Sequence, residues 1–444
     1  MFHDRKDELK TLETAYNSGE PEFIVIYGRR RIGKTSLVKQ MTKDFPVIYH
    51  LAEKLPFDQQ ALDFAEQVAD ETGSFKPQVR GWKEAFEFAL SQFDRRVIIA
   101  IDEFPYLIDA DDRVLSHFQS LWDEYLSKED IVLILIGSSI SIMENEVLDY
   151  KSPLFGRRTK QMEIKEIPLG SFRDFFPGSD HEDIVRIYGA CGGVPAYLKR
   201  FDGSKTFWEN ISDNFFHQDR YMFNEPDFIL QQELREPSAY KMILKAISWG
   251  KHRIGKIADE IHRPVTDLPR YLTKLERLRI IEKEVPYGKS AERSRDTRYV
   301  IKDNLMSFYF RYIFPHRGLI IKGNESTAMG KLKKDYNRYL GHIYERIVKE
   351  NIYDLDIPIQ RCGRWWHKER EIDLIAESDT TVYKCEVKWK DLSVQDISRI
   401  LEGLREIKTP FEKDKDVKYI IVGKEVERYQ DEELHLFGLK DIIG

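Results

Sequence analysis

Residues 28–36 combine two glycines, a lysine and two hydroxyls in the spacing of a phosphate-binding loop. They read Gly-Arg-Arg-Arg-Ile-Gly-Lys-Thr-Ser and fit the pattern G-x-x-x-x-G-K-[ST]. The glycines let successive backbone N–H groups face phosphates. Lys34 is expected to reach the β- and γ-phosphates, and the Thr35 hydroxyl to bind Mg²⁺. The nucleotide-binding residues predicted here are Gly28, Arg29, Arg30, Arg31, Ile32, Gly33, Lys34, Thr35 and Ser36.

Two adjacent carboxylates, Asp102 and Glu103, end an apolar run farther along the chain. Asp102 would belong to the nucleotide site and hold Mg²⁺ through water. Glu103 would face the γ-phosphate and polarise the attacking water. Acid pairs also end many ordinary strands, but a glutamate at this position favours an ATPase over a kinase or a small GTPase. We therefore predict ATP and Mg²⁺ as ligands, with Lys34 and Glu103 as catalytic residues.

Three further residues are candidates for contact with the γ-phosphate. Ser138 follows the next apolar run and would either sense the phosphate from between the loop and the two acids, or cap a helix, as serine does well. Arg157 or Arg158 would reach the site of a neighbouring subunit as an arginine finger, or would only be solvated. If one of these arginines is such a finger, a second copy of the chain is a candidate partner.

A second set of charged residues lies in the last quarter of the chain. Glu386 and Lys388 alternate with Val387 on a predicted strand, so both point to one face, and Asp373 lies on the strand before it. This pattern resembles the PD-(D/E)XK nuclease core, with Ile372 in place of the usual proline. The alternative is that Glu386 and Lys388 form an ordinary surface pair, which contributes little.

The resemblance to a nuclease implies a bound cation. Asp373 and Glu386, with Glu345 from a preceding helix over 339–352, are the predicted ligands of Mg²⁺ or Mn²⁺, because hard cations prefer carboxylate oxygens. Lys388 would lie beside the attacking water or the scissile phosphate as a fixed cation. The predicted catalytic residues of this second site are Asp373, Glu386 and Lys388.

The elements around the phosphate-binding loop alternate between strands and helices. A strand over 22–27 precedes the loop and a helix over 36–41 follows it, a context that a chance glycine turn lacks. The alternation predicts a parallel sheet covered on both faces, with ligands at the carboxyl ends of its strands. The other predicted strands cover 45–51, 96–102, 131–137 and 162–167, and the helices 4–16, 57–70, 82–93 and 112–126.

Residues 236–302 have the pattern of a winged helix. Its predicted helices cover 238–248, 253–261 and 267–278, and its hairpin pairs 280–285 with 297–301. Arg270, Lys274 and Arg277 share one face of the third helix, and we predict that they bind nucleic acid, with DNA as a candidate partner. An ordinary solvated face is an equally good alternative. The tip of the wing would add Lys289, Arg293 and Arg295.

Two connecting regions complete the chain. Residues 171–235 are predicted to be helical, with a glycine- and proline-rich turn over 188–197 that is either a hinge or a rigid connection. Residues 303–328 are rich in aromatic side chains, which predicts a helix buried between domains. The alternative is a platform on which bases stack.

Five motifs occur in an order that resembles the archaeal AAA-type ATPases of the STAND-related branch. They cover residues 2–9, 28–36, 101–105, 137–139 and 192–195. The resemblance implies an ATP site, a helical lid and oligomerisation. In AAA-type ATPases a winged helix often packs on its own ATPase domain or on a protein partner. The last quarter resembles the C-terminal domain that follows many of these ATPases.

The predicted fold class is α/β: a P-loop NTPase parallel sheet with a helical lid, a winged-helix domain and an α/β restriction-endonuclease-like C-terminal domain. The predicted domains are an ATPase domain over 1–170, a helical lid over 171–235, a winged helix over 236–302, an aromatic connecting segment over 303–328 and a nuclease-like domain over 329–444. One predicted function is an ATP-hydrolysing switch coupled to a metal-dependent nuclease. The other is an ATP-gated regulator that binds nucleic acid or protein and whose nuclease-like domain is inactive.

Composition narrows the range of partners and compartments. The 444 residues carry a net charge of −6, which excludes a chain-wide basic field for nucleic acid and leaves only local patches. The three cysteines have no metal-like spacing and suggest a reducing compartment. The first residues are too charged for a signal peptide, and no run approaches the roughly 20 apolar residues of a membrane helix. We therefore predict a cytoplasmic protein without a membrane partner.

Overall fold

The computed structural model describes residues 5–290, 294 and 296–444, and the chain divides into two compact units. The first unit runs to Ile167 and also includes Val194–Ala196, while the second includes Pro168–Gly193 and Tyr197–Gly444. The predictions for residues 2–4 and for Arg293 and Arg295 at the wing tip lie outside the described residues.

The first unit contains a five-stranded sheet in which every pairing is parallel. Its strands are β1 (Glu22–Tyr27), β2 (Val47–Leu51), β3 (Val97–Asp102), β4 (Ile131–Gly137) and β5 (Lys160–Glu163). Their order across the sheet is β2-β3-β4-β1-β5. Every residue of β1, β3 and β4 is buried, because a parallel sheet covered on both faces needs continuous apolar strands. The parallel α/β sheet is therefore confirmed.

Helices cover this sheet, and the first unit is built around aromatic and aliphatic side chains. The helices are α1 (Lys6–Asn17), α2 (Lys34–Met41), α3 (Phe57–Thr72), α4 (Trp82–Ser91), α5 (Pro105–Ala110), α6 (Val114–Glu124) and α7 (Ile140–Ile142). Trp82, Phe86 and Phe118 pack against strand residues such as Ile99 and Leu133 in one buried cluster. Burial of side chains of this size stabilises the unit by about 1.5–3 kcal/mol each.

The fifth strand differs from its predicted bounds. We expected it over 162–167, but it covers Lys160–Glu163. Its pairing with β1 ends where Glu163 lies opposite Tyr27, because β1 stops there and the chain turns into the phosphate-binding loop. The residues after β5 are hydrophobic because side chains such as Ile164 and Ile167 are buried, and not because they continue the strand.

The second unit begins with helices and contains the predicted three helices and hairpin. Its helices up to the hairpin are α8 (Phe172–Phe175), α9 (His181–Cys191), the second half of α10 (Pro195–Leu198), α11 (Phe207–Phe215), α12 (Tyr221–Glu233), α13 (Pro237–Ser248), α14 (Ile254–Ile261) and α15 (Leu268–Arg277). The hairpin strands β6 (Ile281–Glu284) and β7 (Arg298–Ile301) pair antiparallel. Leu268, Tyr271, Leu272 and Leu275 form the buried stripe of α15.

The aromatic segment is buried, and it lies inside the second unit. It forms α16 (Asn304–Phe308), a π-helical turn over Tyr309–Ile313 and α17 (Arg317–Ile321). Phe308, Tyr309 and Phe310 are fully buried, so the base-stacking alternative is wrong for these rings. The next helix, α18, covers Glu325–Asn351 and not 339–352 as predicted. It passes through Gly330 and Gly341, and the predicted domain boundary at residue 329 falls inside it.

A second sheet, with mixed strand directions, ends the chain. Its strands are β8 (Arg361–His367), β9 (Arg370–Glu377), β10 (Thr381–Val387), β11 (Asp416–Val422) and β12 (Leu434–Phe437), and its helices are α19 (Val394–Glu406) and α20 (Leu439–Ile443). The order is β12-β11-β10-β9-β8, with antiparallel pairs among β8, β9 and β10 and parallel pairs beyond. On one face, Ile397, Leu401 and Leu404 of α19 pack on the strands.

Candidate active site

The loop between β1 and α2 has a backbone that only glycine adopts readily at two positions. Gly28 has φ +152°, and a Cβ there would lie 2.5 Å from the carbonyl oxygen of Ile164. Gly33 has φ +99° and begins α2. Residues other than glycine rarely adopt these φ angles, so the shape of the loop requires both glycines. Of the other predicted nucleotide-binding residues, Ile32 is buried and Ser36 is exposed.

Lys34 lies folded beneath this loop. Only 4% of the residue is exposed, and its Nζ donates hydrogen bonds to the carbonyl oxygens of Gly28 at 2.8 Å and Arg29 at 3.0 Å. Burial lowers the pKa of Lys34 to about 8, although Glu103 and Asp102 act against this shift. The ammonium group is therefore held inside the loop by backbone carbonyls and by two acidic neighbours.

Asp102 connects the loop to β3. Its Oδ2 accepts hydrogen bonds from the Thr35 hydroxyl at 2.6 Å and from the Tyr49 hydroxyl at 2.5 Å. Its Oδ1 accepts the backbone N–H of Glu103 at 2.8 Å. Burial and Asp102 raise the pKa of Tyr49, so the phenol stays a donor. A hydroxyl and a carboxylate at this separation fit the oxygen ligands that Mg²⁺ prefers.

Glu103 and Ser138 complete the site. Strand β4 lies between β1 and β3, so Ser138, which follows β4, lies between the loop and the acids as expected. Its Oγ donates a hydrogen bond to Glu103 Oε1 at 2.8 Å. The helix-cap alternative is wrong, because Ser139 precedes α7 and makes no capping bond. Glu103 itself has φ +53°, a conformation that costs about 1 kcal/mol.

The arginines near this site all have protein partners. Arg29 forms an ion pair with Glu166 at 2.6 Å, and Arg30 donates to the Tyr106 hydroxyl at 3.0 Å. Arg31 adopts φ +67°. Of the two arginine-finger candidates, Arg157 binds Asp123 at 2.8 Å, and the Arg158 guanidinium lies 5.2 Å from the Phe155 ring centre.

The second candidate site brings three of its predicted residues together: Asp373 within β9, Glu386 near the end of β10 and Lys388 directly after β10. Asp373 Oδ2 accepts the backbone N–H of Val387 at 2.9 Å. Lys388 Nζ donates to Glu386 Oε1 at 2.5 Å and lies 3.7 Å from Asp373 Oδ2. Burial raises the pKa of Asp373 to about 7, and Glu345 and Glu386 add to the rise. Burial lowers the pKa of Lys388, but Asp373 and Glu386 outweigh it, and the net shift is upward.

The fourth residue, Glu345, is bound to a cation. Arg364 of β8 donates to Glu345 and also lies 3.0 Å from Glu371. Among the described residues, no three His, Cys, Asp or Glu side chains are grouped so that they could hold a metal ion. The predicted ligands Glu345, Asp373 and Glu386 are thus not grouped around a common point, and Arg364 binds Glu345 while Lys388 binds Glu386.

The second site opens into a cavity of about 710 Å³. Asp373, Glu386 and Glu345 line it together with Glu284 of β6 and Arg298 of β7. Arg298 forms an ion pair with Glu371 at 2.9 Å, and its guanidinium lies 4.2 Å from the Trp366 ring centre. The hairpin that follows α15 is therefore one wall of the carboxylate cavity.

The predicted nucleic-acid residues lie together on α15. Arg270 and Arg277 are exposed and Lys274 is half-buried, and all three line a cavity of about 700 Å³. Arg270 donates to the Tyr271 hydroxyl at 2.8 Å. At the predicted wing tip, Lys289 is exposed and pairs with Asp296 at 2.8 Å.

Residues 2–201 match a family model described as an ATPase domain predominantly from Archaea. An uncharacterized protein of Methanocaldococcus jannaschii is 39% identical over 450 residues, which cover 99% of this chain and 100% of that protein. The chain belongs to that archaeal ATPase family. Residues 309–400 of this family member match a second model, described as Archaea bacterial proteins of unknown function.

Two further proteins are similar to parts of this chain. An uncharacterized ATP-binding protein of Methanocaldococcus jannaschii is 46% identical over 44 residues, which are 10% of this ATPase and 75% of that protein. A Walker-type ATPase of Pyrococcus abyssi has a TM-score of 0.51 and 20% identity, over 70% of this chain and 96% of that one. The second likeness shows a shared fold. Within the described part of this ATPase, no helix has the length and apolarity to cross a membrane.

The sequence did not single out Tyr49 or Arg364. Tyr49 reaches Asp102 because β2 pairs with β3, and Arg364 reaches Glu345 from the edge strand of the other sheet. Neither residue belongs to a motif. The only sequence signal for Tyr49 was a polar group within a short strand that also contains His50, and this signal is too common to be specific.

Proposed function

We propose that this chain hydrolyses ATP at the loop after β1, with Glu103 as the residue that activates water. The observation that carries the proposal is the hydrogen bond from Thr35 to Asp102, which joins the loop to the end of β3 at 2.6 Å. Thr35 and Asp102 would hold Mg²⁺, which neutralises phosphate charge when bound. Lys34 would bind the β- and γ-phosphates, with the backbone N–H groups of the loop beside it.

Glu103 is suited to accept a proton from water. Its carboxylate would face the γ-phosphate, and the hydrogen bond from Ser138 fixes its orientation. General-base catalysis of this kind contributes roughly 10²–10⁴-fold in rate. Ser138 then has a positioning role in which it also senses whether a phosphate is present.

The test is Glu103→Gln, which keeps the size of the side chain and an acceptor for Ser138. We expect nucleotide binding to remain and hydrolysis to fall by roughly 10²–10⁴-fold. Binding is measured with a fluorescent ATP analogue, and hydrolysis by phosphate release. Glu124→Gln, at an exposed position on α6, is the control. Equal hydrolysis by wild type and Glu103→Gln would reject Glu103 as the base.

We further propose that residues 236–302 are a winged helix that binds DNA, and that 171–235 are a helical lid. The support is the shared face of Arg270, Lys274 and Arg277 beside an open cavity. Replacement of all three by alanine should weaken DNA binding and lower the slope of log affinity against log salt by about 0.9 per lost phosphate contact. A control removes three exposed cations elsewhere, Lys331, Lys334 and Arg399. Unchanged affinity and slope would make this domain a protein-binding module.

The second candidate function is a metal-dependent nuclease over residues 329–444. It is favoured by one observation: Lys388 lies beside both Asp373 and Glu386. Asp373, Glu386 and, once released from Arg364, Glu345 would hold Mg²⁺ or Mn²⁺, which orients water and stabilises charge at the scissile phosphate. Lys388 would then face that phosphate. The competing proposal is an ATP-gated regulator with an inactive nuclease-like domain, and it is favoured by the cations that cover these carboxylates.

A further inference from the structure

A separate groove lies on the second unit, at the hairpin that joins β8 to β9. It has a volume of about 970 Å³ and is formed by the chain after β6, this hairpin and the chain after α19. Exposed charged residues form its rim, and cations outnumber carboxylates among them: Lys289, Lys368, Arg370, Lys408 and Glu369. We call this the cationic groove. On a chain with a net charge of −6, such a local excess of positive charge attracts a polyanion.

The cations of the groove are only weakly neutralised. Lys289 pairs with Asp296, and Lys408 lies 3.9 Å from Glu412. Within the described ranges, neither Lys368 nor Arg370 forms an ion pair. Exposed ion pairs contribute 0–1 kcal/mol at most sites, so all four cations are available to an incoming phosphate chain.

The floor of the groove is aromatic and held in place. The rings of Tyr287 and Phe411 are half-buried, with centres 5.1 Å apart. The Tyr287 N–H donates to the carbonyl of Arg364 at 2.8 Å. Gly288 has φ +81°, and a Cβ there would lie 2.6 Å from the Phe411 ring. The absence of a side chain at Gly288 therefore leaves room for this ring in the floor. A fixed aromatic floor beneath cations is the combination on which single strands stack their bases.

We propose that the cationic groove binds single-stranded nucleic acid. Phosphates would contact Lys368 and Arg370, and unstacked bases would lie on Tyr287 and Phe411. A duplex keeps its bases stacked inside and offers the rings nothing to contact. This surface is distinct from the basic face of α15. It adjoins the second candidate site, because Trp365 of the groove pairs with Ile372, the neighbour of Asp373.

The test measures binding of a short fluorescent oligothymidylate to the full chain by anisotropy in EDTA. The variant is Lys368→Glu with Arg370→Glu, and the matched control is Arg428→Glu with Lys440→Glu, two exposed cations outside the groove with the same change in charge. We expect the groove variant to bind roughly tenfold or more weakly, with a salt slope lower by about 1.4, since each single-strand phosphate contact contributes about 0.7. The control should bind within twofold of wild type.

Three results would overturn the proposal. They are no binding of oligothymidylate by wild type, equal weakening in the control, and equal or tighter binding of a duplex or of polyglutamate at the same groove. If the charge reversal disturbs folding by circular dichroism, Lys368→Gln with Arg370→Gln replaces it. EDTA removes any cleavage, so the outcome stands whether or not the second site is a nuclease.

Discussion

Lys34 and Asp373 are both buried charged residues, but their partners are of different kinds. Lys34 is held by backbone carbonyls of its own loop. Asp373 accepts one backbone N–H, from Val387, but the charged groups around it are side chains, with Lys388 beside it and Glu345 and Glu386 nearby. Backbone partners are fixed when the loop forms, whereas side-chain partners can be exchanged. The ATP site is therefore built before its ligand arrives, while the carboxylate site must release its own cations before it can accept a metal ion.

The strongest test of this difference between the two sites is an assay for cleavage of nucleic acid. If the carboxylate site becomes active, wild type should cut nucleic acid with Mg²⁺ or Mn²⁺, and both Asp373→Ala and Lys388→Ala should reduce cleavage to background. In the proposed nuclease, removal of Asp373 would take away an oxygen ligand of the metal ion, and removal of Lys388 would take away the cation beside the scissile phosphate. Cleavage is followed on DNA and RNA substrates in gels, with and without ATP.

Asp416→Ala and Lys440→Ala, at exposed positions of the same domain, serve as controls and should cut like wild type. Cleavage that persists in folded Asp373→Ala would mean that another site or a contaminant is responsible. No cleavage by wild type under any condition would favour the inactive, regulatory form of the domain.

The preassembled site is tested by Lys34→Ala. Loss of a buried ammonium that would contact two phosphates under our proposal should lower ATP turnover by roughly 10²–10³-fold, as loss of a single charge-stabilising donor does elsewhere. Phosphate release under saturating ATP measures this, and Lys43→Ala, exposed just beyond α2, is the matched control. Turnover within a few fold of wild type would show that the loop carbonyls, and not ATP, are the main partners of Lys34.

The smallest effect is expected from pH and Asp373. The pKa of this group in the folded chain, about 7, lies above its usual value, so the folded state binds more protons between about pH 4 and 7 and loses stability as pH rises through that range. Asp373→Asn removes this penalty. The urea midpoint of the variant, taken relative to that of wild type, should be higher at pH 8 than at pH 5. The increase should correspond to about 1 kcal/mol or more in the free energy of unfolding. A constant difference between the variant and wild type across this range would contradict the raised pKa of Asp373.

Most residues of the candidate ATP site belong to local sequence patterns. The loop closes within nine residues of sequence, and β1, β3 and β4 are continuous apolar runs, so their bounds followed closely from the residues. Tyr49 and Arg364 were missed because they reach their carboxylates across strand pairings that only the folded chain creates. The true start of α18 was missed for a related reason: buried residues such as Leu332 and Tyr336 override the helix-weakening effect of Gly330 and Gly341.

The carboxylate site was predicted only as a pattern. Glu386, at the end of β10, and Lys388, just after it, form an ion pair, and the antiparallel pairing of β9 with β10 brings Asp373 beside them. Its assignment as a metal site stays a proposal. Spacing along a chain cannot reveal a competing cation on another strand, and Arg364 is such a cation.

The hydrogen bond from Tyr287 to Arg364 has a consequence for solubility. Strand β8 is at the edge of its sheet, and an uncovered edge is a template for pairing with another chain. Here the residues after β6 cover part of that edge through the hydrogen bond from the Tyr287 N–H. Arg298, at the start of β7, adds an ion pair with Glu371 of β9. A fragment that begins at residue 329 would lose this cover, so the C-terminal sheet on its own would tend to self-associate.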